Sequence, residues 1–178
     1  STIDLGTGMT AKQVAVGSQH KCVILNDDTL RCWGEGDNGR LGIGSSTDQS
    51  TPQTVNLGTG MTAKQVASGG MHTCAILNDD TVKCWGSGYY GQLGQTDKND
   101  KNTPQTVSNY KAKQIALGIS HVCIIELDDT LNCWGRNNYG QLGIGTTHDR
   151  GGDTYWATNS ANVNLGSGRT AKQVAVGW

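Results

Sequence analysis

The sequence predicts an all-β chain of β-propeller blades, each of four antiparallel strands, with about three blades and partial strands at both ends. Three observations predict it. One stretch occurs three times, as GSQHKCVILNDDTLRCWGEGDNGRLG (Gly17–Gly42), GGMHTCAILNDDTVKCWGSGYYGQLG (Gly69–Gly94) and GISHVCIIELDDTLNCWGRNNYGQLG (Gly118–Gly143). Within each copy, short apolar and β-branched runs are separated by turn residues, and no segment carries a capped helical period. The repeat length, roughly 50 residues, suits a four-strand blade better than a β-solenoid coil, the structural runner-up.

The chain divides in order. Residues 1–8, STIDLGTG, match QTVNLGTG (Gln53–Gly60) and read as the end of a preceding repeat. Residues 9–60, 61–110 and 111–168 are three repeats, the third with a loop insertion, and residues 169–178 read as the first strand of a fourth. The chain is thus expected to be a window cut from a longer array, or a unit completed by another chain.

Within a repeat, AKQVAVG is the first strand. HKCVIL and TLRCW form a hairpin around Asn26-Asp27-Asp28, residues suited to a tight turn. PQTVNL is the fourth strand, its Pro at the start, where a missing donor does least harm. Apolar residues on both faces of the first two strands call for sheets covered on both sides, as between blades.

Spacing separates rigid from variable parts. Gln13, Gln65, Gln114 and Gln173 are equivalent, at intervals of 52, 49 and 59 residues. From the last Gly of GxLG to the following Val is 13, 13 and then 20 residues; from that Val to the Gln is 10, 7 and 10. The cores are constant and the loops vary, as when each repeat is one supersecondary unit with insertions on its surface.

Composition excludes several classes. The net charge is −1 with 16% charged residues, which leaves no basic stripe for a nucleic acid. No apolar run approaches the length of a membrane span. The N-terminus shows no basic region followed by an apolar core, and no N-glycosylation sequon occurs. No nucleophile elbow, P-loop, metalloprotease helix motif or EF-hand loop is present. Asp97-Lys-Asn-Asp-Lys-Asn102 lacks the ligand spacing of a calcium loop and reads as a solvated loop. No cofactor, no metal and no enzymatic activity are expected.

The motif G-x-x-H-x-C followed by WG-x4-G-x-L-G resembles the regulator of chromosome condensation repeat family. Its residues are Gly17, His20, Trp33-Gly34, Gly39 and Leu41-Gly42, then Gly69, His72, Trp85-Gly86, Gly91 and Leu93-Gly94. The third set is Gly118, His121, Trp134-Gly135, Gly140 and Leu142-Gly143. The resemblance implies a β-propeller, typically seven-bladed, of which about three and a half blades lie here. Where the family usually has Asp-Gly at the hairpin turn, this chain has Asp-Asp. Members include a nucleotide exchange factor for a small GTPase, modules in ubiquitin ligases, and secreted binders such as a β-lactamase inhibitor. The exchange factor works through particular loops and a basic tail, neither found here, so its activity is not carried over.

The cysteines form three pairs at one spacing: Cys22/Cys32, Cys74/Cys84 and Cys123/Cys133. A three-residue hairpin loop sets each pair directly opposite on neighbouring strands, with Cα atoms roughly 4.5–5.5 Å apart, a span a disulfide bridges. Reduced, buried cysteines are the alternative, and the C-x2-C spacing of zinc sites is absent. Strict pairing without a leftover thiol favours disulfides, and with them an extracellular or secreted location.

His20, His72 and His121 share one repeat position and are expected to make a structural hydrogen bond at a strand start; a metal site would require them to converge on the axis. Trp33, Trp85 and Trp134 each follow the second Cys, so the Cys face should pack on one blade and the Trp face on the next. Gly34–Gly39 and Gly86–Gly91 match G-x-G-x-x-G, but no helix follows to hold a pyrophosphate, and the pattern is turn chemistry.

The stretch DRGGDTYWATNSAN (Asp149–Asn162) replaces the connector of the other repeats. Arg150, Tyr155 and Trp156 on it form a candidate binding loop, since interfaces favour aromatics beside Arg; capping of a blade edge is the equal alternative. Together these features point to a non-enzymatic binding or structural module on a disulfide-stapled propeller, engaged in protein–protein interaction or extracellular assembly. Its partner is a protein or further copies of the chain, with no nucleic acid and no membrane span. The alternative is a guanine-nucleotide exchange factor or other regulator of a small GTPase, which requires reduced thiols.

Overall fold

The computed structural model describes residues 2–152 and 161–177. Eleven strands run through them: β1 (Ala11–Val16), β2 (His20–Leu25), β3 (Leu30–Gly34), β4 (Gln49–Thr54), β5 (Ala63–Ser68), β6 (His72–Leu77), β7 (Thr81–Gly86), β8 (Lys101–Leu117), β9 (His121–Glu126), β10 (Leu131–Gly135) and β11 (Ala161–Asn162). The helical content of the described residues is a single 3-10 turn at Asp37–Gly39.

Each central hairpin is built by its turn. The Asp28 amide donates to the Leu25 carbonyl (3.0 Å) and the Leu25 amide to the Thr29 carbonyl (2.9 Å). That is a type I turn followed by one residue in the left-handed region, a common three-residue hairpin loop. Asp28, Asp80 and Asp129 hold that position at φ of 64°, 69° and 71°. A short polar side chain tolerates it where a bulky one would not. The residue before adds a brace: Asp27 Oδ1 accepts from the amide and the hydroxyl of Thr29 at 3.1 and 2.7 Å.

Strand order is β1-β2-β3-β4 in one sheet and β11-β10-β9-β8-β7-β6-β5 in the other, with all pairings antiparallel. The seven-stranded sheet is two blades joined by β8, whose first part pairs with β7 and whose last part pairs with β9. The connector length explains the join. The longer connectors contain a turn closed by Met9 N to Gly6 O and Met61 N to Gly58 O (3.1 Å each). The shorter connector in the second repeat lacks that turn, and the strand runs straight on.

Two details differ from expectation. The fourth strand begins earlier than PQTVNL, at Gln49, and Pro52 lies inside it rather than at its start. Pro52 is tolerated because β4 is the outer strand of its sheet and the ladder to β3 is irregular between Cys32 and Gly34. Residues 171–177 form no strand, there being no ladder partner beyond them among the described residues. They occupy the place of β5 and β8 against the preceding blade: the Ala171 amide donates to Asp129 O (3.0 Å), as Ala63 does to Asp28 O (3.1 Å) and Ala112 to Asp80 O (3.0 Å).

The core lies between the blades. Cys22, Ile24, Leu30, Cys32 and Leu41 of the first blade pack against Ala63, Val66, Leu77 and Trp85 of the second. Cys74, Ile76, Val82 and Cys84 then pack against Ala112, Ile115, Val122 and Trp134. Each interface joins the Cys face of one blade to the Trp face of the next, as the alternation of neighbours in a strand dictates. Trp85 and Trp134 are buried, whereas Trp33, on the Trp face of the first sheet, is half-buried and Val14 and Val16 are exposed.

Candidate functional site

All six cysteines are oxidised, as Cys22–Cys32, Cys74–Cys84 and Cys123–Cys133. Counting back from the hydrogen-bonded Leu25–Thr29 pair, alternation places Cys22 opposite Cys32 at a non-hydrogen-bonded pair, where antiparallel strands come closest. The Cα separation is 4.1 Å in every bridge, below the range expected from the sequence.

The Trp face carries the polar ties between blades. Trp85 Nε1 donates to Arg40 O (3.1 Å), and Trp134 Nε1 to Gln92 O (2.9 Å). The indole lies over Gly42, where a Cβ would fall 2.5 Å from Trp85 Nε1, so the glycine of LG is fixed by close approach. Arg40, itself buried, is held by Glu35 (2.7 Å) and by its Nε to Asp37 O (2.9 Å).

The histidines sit beside these ties, and among the described residues they form no group that could hold a metal ion. Each ring covers the glycine three residues earlier, at Gly17, Gly69 and Gly118. Thr73 Oγ1 donates its hydrogen to Arg40 O (3.0 Å), so His20 Nε2, 2.8 Å from that oxygen, is the donor to it. His72 has no such partner, because Val122 stands where the second blade has Thr73; neither of its ring nitrogens is bonded. The repeated hydrogen bond expected from the sequence therefore forms at His20 and is missing at His72. Burial, then Arg40 and Lys21, lower the His20 pKa to about 4. Burial, then His20 and His121, lower that of His72 to about 3. Burial also lowers His121. These are neutral packing residues at ordinary pH.

The two ends of the blades differ in chemistry. At the hairpin-turn end, lysines of the first strands meet the left-handed aspartates: Lys12 with Asp28, Lys64 with Asp80 (2.6 Å), Lys113 with Asp129, and Lys172 with Asp129 (3.6 Å). Each left-handed aspartate there is paired with a lysine. The other end, where the G-x-x-H and WG loops emerge, exposes apolar and aromatic side chains among polar loops. Val16 (64% exposed), Met71 (49%), Ile119 (38%), Tyr89 (70%) and Tyr139 (83%) stand out from it.

On that face a groove of about 500 Å³ runs across all three repeats, from Ser18 and Asn38 past Met71 and Tyr89 to Ile119 and Arg136. Tyr89 meets Tyr90 edge to face at 4.9 Å. The Arg136 guanidinium lies 4.9 Å from the Tyr90 ring centre and 5.9 Å from that of Tyr139. The loops are fixed from below by an aspartate twelve residues on: Asp48 accepts from Gly36 N (2.9 Å), Asp100 from Gly88 N (2.9 Å) and Asp149 from Asn137 N (2.7 Å).

Of the candidate binding loop, Arg150 pairs its backbone with Gly135 (2.7 and 2.9 Å). The adjoining Gly151 packs against Gly91, beside Tyr90. The loop thus leaves the blade next to the aromatic groove. Tyr155 and Trp156 lie outside the described residues. Sequence reasoning assigned no role to Tyr89, Tyr90, Arg136 or Tyr139. Their signal was available: these positions of the WG-x4-G loop vary between repeats that are otherwise constant, and two of the three copies place Tyr there.

Known proteins share this architecture. The family model described as the regulator of chromosome condensation (RCC1) repeat matches residues 27–76 and 79–125, more than half of the chain, and a second model of that description matches 11–40, 63–92 and 112–141. The ultraviolet-B receptor UVR8 of Arabidopsis thaliana is 37% identical over 87 residues, 49% of this chain and 20% of the receptor. Human WBSCR16 superposes with a TM-score of 0.74 at 23% identity, covering 86% of this chain and 39% of that one. Prp20p of Saccharomyces cerevisiae superposes with a TM-score of 0.72 at 19% identity, covering 78% and 36%. The chain spans about a fifth of the receptor's length and under two fifths of either solved structure.

Proposed function

Since the chain belongs to the regulator of chromosome condensation (RCC1) repeat family, we propose that it is a non-enzymatic binding module that engages a protein partner through its aromatic face. One observation carries the reading. The exposed aromatics Tyr89 and Tyr139 gather with Met71 and Ile119 at one end of the blades, while the other end is closed by Lys–Asp pairs. Aromatic residues and Arg on a rigid support are what recognition surfaces use. The solved relative Prp20p is described with binding properties to Gsp1p and histones, so a propeller of these repeats can serve protein recognition.

Three disulfides support a setting that keeps thiols oxidised, and hence a secreted, extracellular module. The Trp face of the first sheet, with Val14 and Val16 exposed, is the surface on which a further blade of the same repeat fits, from a longer chain or another copy. In the other two blades the equivalent Val66 and Ile115 are buried under a neighbour.

The test is affinity capture from the source's own extracellular fraction. It compares the unaltered protein with Tyr89→Ala/Tyr139→Ala and with Lys64→Ala/Asp80→Ala on the opposite end. A partner lost only from the tyrosine variant supports the assignment; equal capture by all three removes it. Acceleration of nucleotide release from a small GTPase by the oxidised protein would replace this reading with that of a GTPase regulator.

A further inference from the structure

We infer that the groove on the aromatic face receives an extended acidic peptide segment of the partner, with a carboxylate on Arg136 and an apolar side chain on Met71 and Ile119. The inference rests on the proposed binding role and names the chemistry of what is bound.

Arg136 is the groove's one cation among the described residues. Its backbone is fixed by Arg136 N to Ser120 O (2.9 Å), and its guanidinium lies within cation–π distance of both Tyr90 and Tyr139. No hydrogen bond from the Arg136 side chain forms among the described residues, so its guanidinium keeps a planar N–H fork, which matches a carboxylate in two parallel hydrogen bonds. No carboxylate lies within ion-pair distance of Arg136 among the described residues, whereas Arg40, near the equivalent loop of the first repeat, is occupied by Glu35. Among the described residues the donors of Arg136 thus face no carboxylate, which favours a carboxylate in the ligand.

Asp100 also lines the groove, but both its oxygens are engaged: Oδ1 accepts from Gly88 N (2.9 Å) and Oδ2 from Asn38 Nδ2 (2.7 Å). It holds two loops together, and each of its oxygens already accepts a hydrogen bond from one of them. Beside Arg136 the wall is apolar, with Met71 and Ile119 exposed, and Tyr89 is edge-on to Tyr90. A cation edge next to an apolar wall calls for an acidic residue beside a bulky apolar one. The groove crosses three repeats, which suits an elongated chain better than a compact solute. Its walls stand on disulfide-bridged hairpins, so little loop ordering opposes binding.

The experiment is fluorescence anisotropy with three short labelled synthetic peptides: glutamate alternating with leucine, lysine alternating with leucine, and glutamate alternating with serine. The oxidised protein is compared with Arg136→Glu, Arg136→Lys and Tyr139→Ala, each first shown to melt like the parent. The glutamate–leucine peptide is expected to bind at least tenfold tighter than the other two. Arg136→Glu should abolish this binding. Arg136→Lys, which keeps charge but not the fork, and Tyr139→Ala, which removes one of the two rings beside Arg136, should each weaken it several-fold.

Equal binding of the lysine–leucine peptide, or unchanged affinity in Arg136→Glu, would overturn the inference. So would sedimentation showing this face occupied by a second copy of the chain. The two readings separate cleanly: if the captured partner is lost on Tyr89→Ala/Tyr139→Ala but kept on Arg136→Glu, the face binds and the acidic-peptide assignment is wrong.

Discussion

Gln13 closes a ring of two hydrogen bonds on Val66: its Oε1 accepts from the Val66 amide at 3.2 Å while its Nε2 donates to the Val66 carbonyl at 3.1 Å. The side chain of one repeat therefore acts as a strand neighbour for the innermost strand of the next. Gln65 does the same to Ile115, at 3.1 and 3.4 Å, and Gln114 accepts from Val174 N at 3.1 Å. Adjoining blades are thus tied through their first strands, and backbone groups that no strand pairs there are satisfied.

Replacing Gln65 by Ala should cost about 2 kcal/mol, since the amide of buried Ile115 is left without a partner. Gln65→Glu keeps the acceptor but not the donor, and should fall between parent and Ala variant. Urea unfolding followed by tryptophan fluorescence reads this; an Ala variant as stable as the parent would refute the role given to the ring.

Val122→Thr should stabilise the fold by about 1 kcal/mol, because the new hydroxyl would link His72 to Gln92 O as Thr73 links His20 to Arg40 O. The comparison is the thermal midpoint of variant and parent near neutral pH. A lowered midpoint would mean that the added hydroxyl is not satisfied at that interface.

Acid should loosen the blades. His20 and His72 titrate at about 4 and about 3 in the fold against 6.5 unfolded. Below pH 6.5 the unfolded chain takes up protons that the fold refuses, so the histidine contribution is complete above pH 6.5 and shrinks as pH falls toward 4. Glu126 acts in the opposite sense, because burial and then Asp128 raise its pKa and the fold binds its proton more readily. The readout is the difference between parent and His20→Gln in unfolding free energy from pH 7.5 to 4.5. The parent should lose more on acidification; parallel curves would show that His20 does not report on the interface.

Each disulfide should contribute roughly 2–3 kcal/mol by closing its short loop in the unfolded chain. Reduction should add two hydrogens per bridge to the intact mass and lower the midpoint. Cys74→Ala/Cys84→Ala should show that loss for one bridge, in a site buried on both sides. A native mass unchanged by reductant would mean that the thiols are free and would end the secreted reading.

The architecture was legible because it is written locally and three times. Asn-Asp-Asp fixes a hairpin turn, the turn fixes the register, and the register brings Cys22 opposite Cys32 without any distant contact. The alternation of Cys and Trp on neighbouring positions likewise assigned one face to each adjoining blade. Pro52 was misplaced because its tolerance depends on β4 being an outer strand, a property of the sheet and not of the hexapeptide. The unpartnered His72 could not be read from its own repeat, since its missing hydroxyl belongs to position 122 in the next.

Sequence alone thus determined the repeat, the central hairpins, the facing cysteine pairs and the propeller class, all set by contacts within one hairpin or by strict periodicity. Tertiary structure alone decided that Gln13 ties one blade to the next. It also gathered variable loop residues, Asn38, Tyr89, Tyr90 and Arg136, into a single groove, with Tyr139 beside Arg136. The physical reason is distance along the chain: turn chemistry acts over a few residues, whereas a surface is assembled from loops some fifty residues apart, brought together only when the blades stack.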